Sequence, residues 1–298
     1  MSRRGGPARP RAAPVAAADA LAAIDWRAPW LAPVASPGRT AAAAVAGGAT
    51  VAEALNARGR QEAPLPPDAL DGRAAQDGTA AAPRADGPAR PRFVPPQALP
   101  AGEPYERFVF ATGRVPTRCN LHDFFNGLVW QAFPAAKARL NRLQAGEIAA
   151  HGIGGRRGPV RDAITLLDEN GALLQAPEVL QAALAARDWR ALFVTHRARW
   201  AEARLWLVGH ALMEQLVRPR KGLTAHVLPA PAALKNIASI DGWLAGALTP
   251  GLLAAKPFRP LPVLGVPGWW PANASPDFYD DAQVFRPARV PAGRRPGD

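Results

Sequence analysis

The stretch Ala163-Ile164-Thr165-Leu166-Leu167-Asp168-Glu169-Asn170-Gly171-Ala172-Leu173-Leu174 sets two short apolar runs on either side of a polar tetrapeptide. Asn-Gly is the strongest short-range hairpin signal, because both residues tolerate the positive φ that a tight two-residue turn demands. The stretch predicts a strand over 163–167, a turn over 168–171 and a returning strand over 172–174. A β component is therefore expected in a chain whose other signals are mainly helical.

The helical signals lie on both sides. Asn120 is a good N-cap, and Asp123 places negative charge near the positive end of the helix dipole. Leu121, Phe124, Phe125, Leu128 and Val129 then recur at helical spacing. Pro134 ends this helix or opens the next as its first residue, with Leu140, Leu143 and Ile148 continuing the period. Pro177 and Glu178 open another helix. The longest periodic segment runs from about His196 to Val217, with Trp200, Ala203, Leu207, Val208, Ala211 and Leu212 on one face. Short helices are expected over 51–55 and 240–248, and a third strand over 224–228. Prolines at 260, 262, 267, 271 and 276 are too closely spaced for a regular element. Yet Leu261, Val263, Leu264, Trp269 and Trp270 are too apolar for a free tail, so this segment is expected to wrap the domain as an extended strap. The expected fold is a helix-dominated single α+β domain with a small antiparallel, hairpin-based sheet and a Pro/Trp-rich C-terminal strap.

Composition bounds the rest. The chain has 298 residues, 48% of them hydrophobic, and one cysteine. A lone Cys119 excludes an internal disulfide framework, a multi-cysteine zinc module and a thiolate-held cluster, so a reducing compartment, the cytoplasm, is expected. No run approaches the roughly 18 apolar residues of a membrane span. Arg3 and Arg4 are followed by Gly5, Gly6, Pro10 and Pro14, which interrupt any apolar leader. The formal net charge is +12, and 32 of the 36 basic residues are Arg. That charge is spread thinly, with 12 basic and 8 acidic residues over 1–100 and 24 basic and 16 acidic over 101–298. No dense basic stripe or RNA-binding aromatic motif marks a specific nucleic-acid interface. The expected organisation is a disordered N-terminus over 1–23, an anchoring segment over 24–60 holding Ile24, Trp26, Trp30 and Leu31, and a flexible insertion over 61–92. The main domain then runs over 93–287, before a disordered tail over 288–298. The basic glycine loop over 152–159 matches no phosphate-binding fingerprint.

The runs Val115-Pro116-Thr117-Arg118, Asn120-Leu121-His122-Asp123-Phe124-Phe125-Asn126-Gly127, Asp168-Glu169-Asn170, Gly209-His210-Ala211-Leu212 and Leu261-Pro262-Val263-Leu264-Gly265-Val266-Pro267-Gly268-Trp269-Trp270 resemble a bacterial family of uncharacterised proteins described as a domain of unknown function. The resemblance spans about Ile24 to Pro287, and the insertion near 63–92 is peculiar to this chain. It implies a common fold and no particular activity.

Several side chains carry potential chemistry. His122 and Asn126 are four residues apart on one helix face and can meet a ligand together; the ordinary role for such a histidine is a hydrogen-bonded core residue. His210 and Glu214 share the same spacing, which suits a divalent metal or an oriented base, and equally suits a plain helix pair. A metal needs three or four ligands, so the others would come from His122, His226, Asp162 or the Asp280-Asp281 pair by folding. Asp168 and Glu169 are the residue types that a turn requires. Arg118, just before the Asn120 helix, and Lys221, in the loop before Thr224 and His226, suit a small anion. Cys119 sits where a helix dipole would favour a thiolate, without an identifiable oxyanion partner.

Two functional expectations follow. In the first, His122, His210 and Glu214 act as catalytic groups, with Arg118, Asn126, Lys221 and His226 as ligand-binding groups, in a His/Glu cleft of a hydrolase-like protein that takes a small ligand or a divalent metal. The alternative is a noncatalytic module whose basic loops and Trp-rich strap contact a protein or nucleic acid.

Overall fold

A computed structural model describes residues 12–59, 91–152 and 158–288. The insertion expected over 61–92 and the glycine loop fall mostly outside these residues, as does the C-terminal tail. The chain gathers into two compact units, Met1–Trp26 with Val34–Gly155, and Arg27–Pro33 with Arg156–Asp298. The fold class is α+β and helix-dominated, as the sequence predicts.

The described residues of the first unit form six α-helices: α1 (Ala12–Ala22), α2 (Ala35–Ala46), α3 (Val51–Gly59), α4 (Tyr105–Thr112), α5 (Leu121–Ala132) and α6 (Pro134–His151). Two short strands, β1 (Arg92–Val94) and β2 (Arg114–Pro116), pair in parallel with Phe93 opposite Val115. Helix α1 forms inside the N-terminal stretch expected to be disordered; its Ala17 and Leu21 are buried. Helix α5 begins as read from the sequence, with Asn120 Oδ1 accepting the Asp123 amide at 2.8 Å. Its Phe124, Phe125, Leu128 and Val129 are fully buried. Pro134 is the first residue of α6, where its missing amide hydrogen is no loss. The Asn56 side chain brackets Phe93, donating to its carbonyl at 2.7 Å and accepting its amide at 3.0 Å, which ties α3 to β1.

The second unit is built on a four-stranded sheet ordered β4-β3-β5-β6, from β3 (Gly171–Gln175), β4 (Arg204–Leu207), β5 (Thr224–Pro229) and β6 (Arg259–Pro262). Strands β3 and β5 run parallel, while β4 and β6 pair antiparallel at the flanks, so the sheet is mixed rather than purely antiparallel. The helices are α7 (Pro159–Asn170), α8 (Glu178–Ala186), α9 (His210–Gln215), α10 (Ile237–Ala247) and α11 (Pro250–Ala254).

Three local expectations are corrected here. The segment 163–167 is not a strand and 168–171 is not a hairpin turn: both belong to α7 and its exit into β3. Pro159 opens that helix, and Ala163, Ile164 and Leu167 form its buried face at helical spacing. Strand β3 pairs with β4 and β5, not with the segment preceding it. The long helix expected over 196–217 divides into a 3-10 segment, Arg197–Glu202, then β4, then α9. Backbone bonding of Leu205 and Trp206 opposite Leu174 and Leu173 outweighs local helical periodicity. Within the Pro-rich strap, Arg259–Pro262 does form a regular strand, at the sheet edge where proline is tolerated.

The rest of the strap is pinned by Asn273, which is 1% exposed. Its amide donates to the carbonyls of Leu264 at 2.8 Å and Val266 at 2.7 Å, while Arg197 donates to its backbone oxygen at 3.1 Å. Phe193 stacks against Tyr279 at 5.0 Å and Trp200 at 5.8 Å, with Phe285 edge-on at 5.9 Å. Trp30, from the short segment Arg27–Pro33, packs against Trp269 at 6.0 Å. No helix among the described residues is long and apolar enough to cross a membrane.

Candidate functional site

The end of α7 and the start of α9 meet through their backbones. The amides of Val208 and Gly209 both donate to the Gly171 carbonyl, at 3.0 and 2.8 Å. A Cβ on Gly209 would stand 2.5 Å from Asn170 Cα and from the Gly171 nitrogen. Only a residue without a side chain allows this approach, and it sets His210, the next residue, against the last turn of α7. His210 is 3% exposed. Its Nδ1 lies 3.9 Å from Asp168 Oδ2, and its Nε2 lies 3.6 Å from Glu169 Oε2.

Three features of this cluster constrain its chemistry. The two carboxylates flank opposite nitrogens of one imidazole, so one can orient the ring while the other shares a ligand with it. The 3.6 Å between Nε2 and the Glu169 oxygen exceeds a hydrogen bond. It suits two ligands of one tetrahedral ion, which stand about 3.4 Å apart when each bond is about 2.1 Å. Finally, Asp168 and Glu169 occupy the C-terminal turn of α7, where the helix dipole disfavours negative charge by about 0.3–1 kcal/mol each. A positive charge at the cluster offsets that cost.

Other residues singled out from the sequence have their own surroundings. In the first unit, Arg118 is committed to Asp123: Nε and Nη2 donate to its carboxylate at 3.0 and 2.8 Å. His122 lies half-buried in the first turn of α5. Asn126 donates to the Tyr105 hydroxyl oxygen at 3.3 Å, and its buried Oδ1 has no hydrogen-bond partner among the described residues. Cys119 is a free, half-buried thiol.

In the second unit, Glu214 lies one turn along α9 from His210. Lys221 is held by Asp281 at 3.1 Å and lies 4.4 Å from the centre of the Phe278 ring. Its hydrogen bond holds the Asp281 carboxyl below the usual range. Asp280 faces Arg190 at 3.9 Å, and Asp162 is exposed in the first turn of α7, about two turns from Asp168. Residue type alone puts Asp168 and Glu169 in a turn. The signal that could have recovered them is the helical spacing of Ala163, Ile164 and Leu167 behind Pro159, which puts both carboxylates at a helix end.

His226 sits on β5 opposite Gly171 and Pro260, and burial lowers its pKa below 6.5. The unfolded chain therefore takes up this proton first, so His226 lowers stability as pH falls below 6.5 toward its folded pKa. Urea unfolding at pH 8, 6.5 and 5.5 should show a smaller acid-side loss in His226→Gln than in the parent. A larger loss in the variant would reverse the assignment.

The fold and this cluster together define a helix-rich α+β protein with a buried imidazole bracketed by two carboxylates. The chain belongs to the family described as protein of unknown function (DUF3025), whose model matches residues 91–289 and so includes every residue of the cluster. That match begins at residue 91 rather than near Ile24. No curated protein and no solved structure matches the chain.

Proposed function

We propose that Glu169 and His210 hold a divalent cation, with Asp168 orienting the imidazole, and that the protein is a metal-dependent hydrolase acting on a small substrate. The observation that carries this reading is the 3.6 Å separation of Glu169 Oε2 from Nε2 of a histidine that is 3% exposed. His122, offered by the sequence as a catalytic partner, belongs to α5 of the first unit and takes no part in the proposal. One imidazole and one carboxylate, with the remaining positions left to water, are donors that suit a divalent cation. A cation so held would supply a nucleophile at neutral pH by lowering the pKa of its bound water to about 7. Glu214 enters as the base for that water. The lone cysteine supports a cytoplasmic setting.

The alternative, a noncatalytic interaction module, needs Trp269 and Lys221 available to a partner. Trp269 packs on Trp30 and Lys221 is paired with Asp281, so these features give it less support.

Metal analysis after loading with zinc or manganese and exhaustive dialysis tests the reading. One ion per chain is expected in the parent and less than a tenth of that in Glu169→Gln. Equal metal content in the parent and Glu169→Gln would remove the proposal.

A further inference from the structure

A separate cavity of about 290 Å³ opens in the second unit, lined among others by Arg187, Trp189, Thr224, Pro260, Pro262 and Arg286. Its full lining contains two guanidiniums and no carboxylate. The Arg187 amide donates to the Leu184 carbonyl at 3.2 Å, while its guanidinium makes no hydrogen bond or ion pair among the described residues. Among the described residues Arg286 uses only Nε, donating to the Gln283 carbonyl at 2.9 Å, which leaves its terminal nitrogens for a ligand. The backbone carrying Arg286 is fixed, because the Trp189 indole N–H donates to the Arg286 carbonyl at 2.8 Å. Arg187 caps α8 in the left-handed region, at φ +52°, a conformation that favours glycine. An arginine kept at a strained position beside a cavity points to a use for its side chain. The two prolines of β6 give the same cavity an apolar, rigid wall.

We propose that this cavity binds a small organic oxyanion, a phosphate monoester or carboxylate with a flat apolar body. The guanidiniums take the oxyanion, since their planar forks match carboxylate and phosphate oxygens, and the body lies along Pro260 and Pro262. The volume suits a ligand at the small end of the usual range. The sequence offers Lys221, in the loop before Thr224 and His226, to a small anion, and the cavity lies beside that loop. Lys221 is spent on Asp281, while Gly222 and Thr224 line the cavity that Arg187 and Arg286 make positive. The inference does not depend on the cation site.

Calorimetric titration of the full chain with phenyl phosphate, benzoate and inorganic phosphate tests it, in low salt with EDTA present so that no bound cation supplies the anion site. One equivalent of phenyl phosphate or benzoate should bind saturably, and more tightly than inorganic phosphate. The tighter of the two organic anions identifies the head group. Arg187→Gly and Arg286→Met should each weaken binding by about tenfold or more, the scale of lost charge-assisted hydrogen bonds. Arg187→Gly suits the left-handed backbone, so its unfolding midpoint should hold while binding is lost, which separates recognition from folding. Arg218→Met, a change at an exposed arginine outside the cavity lining, should leave affinity unchanged. Absence of saturable binding by both organic anions would overturn the proposal. So would affinity that survives Arg187→Gly and Arg286→Met combined, or that falls equally in Arg218→Met.

Discussion

Alanine at Gly209 is expected to lower the stability of the second unit by about 3 kcal/mol, combining the usual range for overpacking with loss of one or two backbone hydrogen bonds. The added Cβ would meet Asn170 Cα and the Gly171 nitrogen at 2.5 Å and the Asn170 carbonyl carbon at 2.6 Å. All three are backbone atoms, so no flexible side chain can swing away. The backbone at Gly209 has φ −68°, which any residue adopts, so the demand is for space and not for conformational freedom. Moving the segment apart would stretch the bonds from Val208 and Gly209 to the Gly171 carbonyl. Urea denaturation gives the stability, and cation binding by the folded fraction gives a second readout, because His210 travels with Gly209. Gly146→Ala, in α6 with nothing within 4 Å of the new Cβ, serves as the control. It should be neutral or stabilising by up to about 1 kcal/mol. An unchanged midpoint for Gly209→Ala would show that α9 is not fixed by this contact.

The second large effect concerns cation affinity. His210→Ala removes a ligand and is expected to weaken zinc binding by more than about 100-fold. Asp168→Asn keeps the side-chain shape but loses the charge facing Nδ1, and a loss of about 10- to 100-fold is expected, the scale of outer-shell partners. Competition against a chelating dye measures both. If Asp168→Asn binds zinc like the parent, Asp168 has no orienting role. If His210→Ala does so, the cation lies elsewhere. Far-ultraviolet circular dichroism on each variant distinguishes loss of affinity from loss of fold.

Much of the helical framework was legible because its signals are local. The Asn120 cap and Pro134 at a first helical position are read within one turn of chain. Thr224–Pro229 was also legible, as an apolar run of strand length. The error at 163–174 has a physical cause. A fully buried strand such as Gly171–Gln175 shows no alternation, so the nearest Asn-Gly is the only local signal for its partner, and it points to the wrong segment. The real partners, β4 and β5, lie well downstream, and their bonding decides where the helix stops. The candidate site was half legible for the same reason. His210 stands out as a polar residue in an apolar run, and the sequence offers Glu214 at the next turn. Asp168 and Glu169, more than forty residues earlier, meet it only after α7 and α9 are brought together.

The two prolines of β6 also decide how the sheet ends. Val263 donates its amide inward to the Leu223 carbonyl at 3.0 Å, and in an antiparallel pair alternate residues face the same way, so Leu261 and Arg259 also turn their amides toward β5. The outward-turned positions are then 260 and 262, and neither has an amide hydrogen to offer. A foreign strand approaching this rim would find acceptors and no donors, which bars runaway polymerisation along the ladder from that side.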